Sequence, residues 1–249
     1  MNIINDIILV NKEIAQKSKD SIMKNPEVLL LGVVYSVMSI VAGMLVFNLL
    51  AGLGILLGII YALVESAIVS SYLFVLHNVV VYNRFRWRDI KHGFTYYIRK
   101  VYGVLFIFYL ANLILGFLSN LLGPMIVALI FIIGIGALVV LNPLPEALYV
   151  KDRDSLQTIL YCVDFMKENW INWLFPNIIL TLILYLLTGG ILNGGLNPFR
   201  GLSFSVSISS IVLYLIGSAI LSTAMIYRGH LFKLLSTTTL RKRMFMRKL

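Results

Sequence analysis

The first residue to consider for chemistry is Glu65. It lies about eleven residues into an apolar stretch over 54–81, hence ~17 Å along a helix that rises 1.5 Å per residue, close to mid-bilayer if that stretch spans. A charged carboxylate at that depth costs roughly 3 kcal/mol or more. Such groups therefore turn to the bundle interior, take up a proton, and by default mark an ion or substrate pathway. Asn112, at a comparable depth in the stretch 101–122, supplies a hydrogen-bonding partner. The competing reading is structural. Gly54, Gly58, Ala62, Ser66 and Ser70 put a small residue at every fourth position of the same helix, a ridge that lets a neighbouring helix approach closely. Beside it, Glu65 serves as a protonated donor between helices.

The second feature is Asn142-Pro143-Leu144-Pro145-Glu146. Two prolines remove backbone donors and kink or end a helix, and Asn142 and Glu146, four apart, share a face. The plain reading is a capped helix end with Glu146 among lipid headgroups. The sharper one is a gate or hinge, since non-helical backbone at depth must line a cavity or be buried in protein. His77, His92 and His230 are dispersed, without the spacing of a metal helix. The lone Cys162 excludes an internal disulfide and a multi-cysteine zinc site. No nucleophile–base pair or metal set converges in the sequence, so neither a catalytic residue nor a cofactor is expected.

These residues belong to a chain of 249 residues that is 59% hydrophobic and 13% charged, with mean hydropathy +0.91. That is too little charge for a water-facing surface. About 20 apolar residues span a bilayer as a helix, and six stretches qualify: 28–49, 54–81, 101–122, 125–148, 171–189 and 205–229. The expected fold is all-α, a single transmembrane domain of three hairpins with tight turns at Ala51-Gly52 and Gly123-Pro124. The third turn, glycine-rich from Gly189 to Gly201, lacks the G-K-[ST] ending of a phosphate loop. No cleavable signal peptide is expected, since the first 24 residues alternate charged and apolar side chains.

Lysine and arginine set the orientation. Four lie before the first span, six in the second connection, three in the fourth and seven at the C-terminal end, so 20 of the 21 share one side, leaving Arg200 on the other. That side is expected to be cytoplasmic, with both termini there, in the inner membrane of a cell.

Each hairpin is preceded by a segment of helical periodicity. In 1–27, Ile3, Ile7, Val10 and Ile14 oppose Asp6, Glu13 and Asp20. Before the third span, Trp87, Ile90, Phe94, Tyr97 and Val101 oppose Arg84, Arg88, Lys91, Thr95 and Arg99. Before the fifth, Leu156, Ile159, Val163, Met166 and Trp170 oppose Asp154, Gln157, Asp164 and Glu168. All three are expected to lie in the cytoplasmic interface, a threefold plan echoed by Ser66-Ala67-Ile68-Val69-Ser70-Ser71 and Ser218-Ala219-Ile220-Leu221-Ser222-Thr223. In the tail over 230–249, Arg241, Lys242, Arg243, Arg247 and Lys248 are interleaved with apolar side chains, a composition that meets anionic headgroups. No recognition fold is left over for nucleic acid.

The interfacial helix before Pro26, the run Asp89-Ile90-Lys91-His92-Gly93-Phe94 through Tyr97 to Val101, and Pro145-Glu146-Ala147-Leu148-Tyr149-Val150 followed by Lys167-Glu168-Asn169-Trp170 carry a likeness. The chain resembles bacterial polytopic proteins related to the membrane domain of glycerophosphoryl diester phosphodiesterases. That catalytic domain has no counterpart here, so the resemblance implies a membrane module, scaffolding or lipid-associated, and no hydrolase activity. The leading expectation is a non-enzymatic accessory protein. The rivals are a permease subunit coupled to a separate ATPase through the helix carrying Trp87, Arg88, Ile90, Phe94 and Arg99, and an intramembrane enzyme acting on lipid.

Overall fold

The computed structural model describes residues 3–53, 55–123, 125–188, 196, 208–238 and 242–243. Gly54, Pro124, the glycine-rich connection with Arg200, and Arg241, Arg247 and Lys248 lie outside them. The helices are α1 (Ile3–Lys24), α2 (Leu31–Leu50), α3 (Ile55–Tyr82), α4 (Trp87–Tyr96), α5 (Ile98–Leu122), α6 (Met125–Val140), α7 (Leu144–Val150), α8 (Ser155–Thr188) and α9 (Ile208–Leu235), with 3₁₀ turns at Pro26–Leu30 and Ala51–Leu53. Among the described residues there is no strand. Five helical stretches are long and apolar enough to cross a membrane, and six if α6 and α7, bent by 42° at the break, make one span. The break falls at Leu141–Pro143, where two prolines interrupt the helix as the sequence requires.

Burial divides the molecule in two along its helix axes. At one end, Ile68–Val80 of α3, Leu144–Tyr149 of α7, Cys162–Trp173 of α8 and Leu221–Leu235 of α9 interlock with Val10 and Ile14 of α1 into one core. At the other end Val37–Leu49, Phe106–Leu121, Leu129–Val139, Ile178–Leu187 and Ile211–Ile216 expose large apolar side chains. Contiguous apolar surface on that scale suits lipid rather than water. The near end, where the short loops with most of the positive charge lie, is thus the packed end.

Three segments differ from the sequence expectation. In α1 the buried face is Asp6, Val10, Ile14, Ser18 and Ser21, so Asp6 sits on the inner face rather than opposite it. Asn11 meets Tyr227 and Ser21 meets His230. Both contacts run to α9, so α1 packs against that helix.

The helix α4, expected only as an interfacial segment, folds back along α3. Asn78 Nδ2 donates to Asp89 Oδ2 at 2.9 Å, Ser71 Oγ to the Ile90 carbonyl at 2.7 Å, and Ser70 Oγ to the Gly93 carbonyl at 2.6 Å, while Tyr97 N donates to Ser70 Oγ at 2.7 Å. Gly93 makes this possible: a Cβ there would lie 2.7 Å from Ser71 Cα and 2.9 Å from Ser71 O. The two serines read as half of an internal echo are thus the fasteners of α4.

Residues 155–188, expected as an interfacial helix and a separate span, form one helix of 34 residues through Pro176. Its buried stripe is Thr158, Cys162, Phe165, Asn169, Trp173 and Asn177, leaving Leu156 and Trp170 exposed. The apolar periodicity marked the neighbouring face because the inner face is itself rich in polar side chains.

Candidate functional site

The break between α6 and α7 positions the strongest cluster of buried charge. Glu146, in the first turn of α7, is fully buried and faces Arg228 of α9, buried to 2% exposure. Arg228 Nε donates to Glu146 Oε1 at 2.7 Å and Nη2 to Oε2 at 3.0 Å, a two-pronged pair. The same Nη2 donates to the Asn142 carbonyl at 2.7 Å, an acceptor at the interrupted helix. Asn142 Oδ1 in turn accepts from Trp173 Nε1 at 2.9 Å, and the guanidinium stacks over the Trp173 ring at 5.2 Å. Glu146 is therefore not in the headgroups, as the plain reading of the sequence had it. Sequence reasoning missed its partner because Arg228 stands at the end of an apolar stretch and counted as a flanking cation. The available signal was its spacing from the true helix end at Leu235, about two turns further on.

Around this pair, His77 Nδ1 donates to the Tyr149 carbonyl at 2.7 Å and Tyr97 OH to the same oxygen at 3.3 Å. The buried Tyr149 hydroxyl has no hydrogen-bond partner among the described residues. It abuts Gly229, where any side chain would collide with it and with Val80. Beyond the spans, Lys100 Nζ binds the exposed Asp152 Oδ1 at 2.8 Å, and that hydrogen bond and charge hold the carboxyl below its usual range.

A second buried pair closes the termini on each other. Arg243 Nη2 meets Asp6 Oδ2 at 3.2 Å, with both side chains nearly inaccessible. Arg243 Nη1 donates to the Thr238 carbonyl at 2.9 Å, and Asn172 Nδ2 of α8 donates to Asp6 Oδ2 at 3.4 Å. Arg243, expected among headgroups, is thus buried, while Lys242 beside it is exposed. Asp6→Asn or Arg243→Gln breaks this latch. In detergent, proteinase K should then remove a C-terminal tag at least threefold faster than from the parent protein. Unchanged cleavage would show that the pair does not hold the tail.

The other sequence candidates fall apart spatially. Glu65 is buried in α3. Asn112 is exposed on α5 instead of facing inward, and its side-chain nitrogen donates to the Phe108 carbonyl of its own helix. On α4, Ile90 and Phe94 pack against the core, Trp87 is half exposed, and Arg88, with Arg99 at the start of α5, is exposed. A serine–histidine contact unseen in the sequence also appears: Ser21 Oγ lies 3.0 Å from His230 Nε2, across α1 and α9. Ser21 is buried, and no carboxylate is hydrogen-bonded to the imidazole among the described residues. The pair therefore fastens α1 without the orienting third member of a nucleophilic triad. Among the described residues no three histidine, cysteine or acidic side chains gather as a metal would need.

Together these features define an all-helical, multi-pass membrane protein with a packed, charge-braced end and an apolar end. No family model, curated protein or solved structure matches the chain.

Proposed function

We propose that the chain is a non-enzymatic accessory or scaffolding module of a bacterial inner membrane. It associates with anionic lipid and keeps both termini in the cytoplasm, in keeping with the resemblance to phosphodiesterase membrane domains. The observation that carries this reading is how the charges are used. Glu146 with Arg228 and Asp6 with Arg243 pair across segments distant in sequence, which is bracing rather than turnover. The exposed cations Arg84, Arg88, Lys91 and Arg99 are left as the chemistry presented outward at the near end.

A permease subunit is the second reading, favoured by the 42° break lying directly beside a buried ion pair. There the pair acts as a gate and the exposed side of α4 as the docking face for an ATPase. Affinity purification of the intact protein from its native membrane in mild detergent, followed by mass spectrometry, separates the two. Anionic lipid or a non-transport membrane complex is the expected yield. Stoichiometric recovery of an ATPase would overturn the accessory reading.

A further inference from the structure

Below the packed end, α3 and α5 separate and leave a groove of about 240 Å³, lined by Gly58, Ile59 and Ala62 on one side and Tyr102, Leu105, Phe106 and Tyr109 on the other. Its floor is part of the small-residue ridge of α3. Higher on that ridge Ser70 is packed against α4, but at Gly58 nothing lies within 4 Å of where a Cβ would stand. Among the described residues no helix occupies the space the ridge creates there. Both walls belong to stretches long and apolar enough to cross a membrane, which in a bilayer opens the groove onto hydrocarbon.

The polar end of the groove is marked by charge. Arg99, Tyr102, Phe106 and Tyr109 succeed one another at intervals of three and four and so form one stripe of α5. Side chains on a helix lean toward its N-terminus, which carries the Arg99 guanidinium up and away from the apolar lining. Its neighbour Lys100 is committed to Asp152 at 2.8 Å. Arg99 is exposed and makes no hydrogen bond or ion pair among the described residues. An apolar slot beneath an uncommitted cation on the basic side of the protein fits one class of occupant: an acyl chain joined to an anionic head.

We propose that this groove is a binding site for one anionic phospholipid, its acyl chain against Gly58 and Ala62 and its phosphate on Arg99. The site deepens the lipid-associated reading and rests on it.

Native mass spectrometry on protein purified in detergent with equimolar phosphatidylglycerol and phosphatidylcholine tests it. The parent protein should retain one phosphatidylglycerol in at least fivefold excess over phosphatidylcholine. Gly58→Leu fills the groove and suits a helix, and should abolish that retention. Gly116→Leu, also placed where nothing lies within 4 Å, should leave it intact and serves as the control for folding. Arg99→Gln should keep a bound lipid but bring the ratio of the two close to one. Equal retention of both lipids by the parent, or retention unaffected by Gly58→Leu, overturns the site. So does a parent dimer that Gly58→Leu dissociates, which would assign the groove to a second copy. Recovery of an ATPase in the purification above would sink the accessory reading while leaving this result untouched.

Discussion

Glu146→Gln should lower the stability of the folded protein by about 3–5 kcal/mol, the range for breaking one side of a buried ion pair. The guanidinium of Arg228 would keep its charge, its full burial and its place over Trp173, but lose the carboxylate that balances it. For a chain of this size that corresponds to a fall of roughly 10 °C in the unfolding midpoint. Tryptophan emission in detergent reads it conveniently, since Trp173 stacks on the arginine. Arg228→Met should be similarly damaging because it strands the carboxylate. The double variant Glu146→Leu, Arg228→Met removes both charges and should recover more than half of the loss, since matched apolar side chains often replace a buried pair at little cost. A single variant within about 0.5 kcal/mol of the parent, the scatter of ordinary surface changes, would mean that the pair does not brace the fold. If instead Glu146→Gln stayed folded and altered the passage of a solute in vesicles, the gate reading would gain.

The second large effect is expected at Gly93. A methyl group there meets backbone, Ser71 Cα at 2.7 Å and Ser71 O at 2.9 Å, so no side-chain rotation relieves it and α4 must move off α3. The overpacking costs about 1–3 kcal/mol. The shift also stretches the bonds from Ser70 to the Gly93 carbonyl and from Ser71 to the Ile90 carbonyl. Gly93→Ala should therefore lower the midpoint and raise hydrogen exchange over 87–97. Gly116→Ala, in open surroundings on α5, should raise stability by up to about 1 kcal/mol through helix propensity. Equal responses at the two glycines would show that the close approach of α4 is not essential.

The contrast between these glycines shows what could be read in the chain beforehand. Gly93 sits in a charged amphipathic pattern and Gly116 in an apolar one, and neither pattern marks the first as a packing contact or the second as open surface. Much of the rest was local and legible. The apolar stretches, the two prolines at 143 and 145 that break the fourth one, and the interior face required of Glu65 all follow from the expense of polar groups in hydrocarbon. The one-sided loop charge was equally plain.

What could not be read were the partners. Glu146 and Arg228 are 82 positions apart and Asp6 and Arg243 are 237 apart, and each charge by itself looks like an ordinary flanking residue. The inner face of α8 was misread for a related reason. Periodicity finds apolar stripes, but here Thr158, Asn169 and Asn177 turn inward with Trp173, because each donates to a carbonyl four residues back, at Asp154, Phe165 and Trp173, and so carries its own hydrogen-bond partner into the core. Sequence by itself determined that the chain is helical, that it lives in a membrane and where its backbone must break, since these depend on the solvent around each segment. Only the tertiary structure decided which charges are buried in pairs and which, like Arg99, are left to meet something else, because that depends on which faces the helices turn to one another.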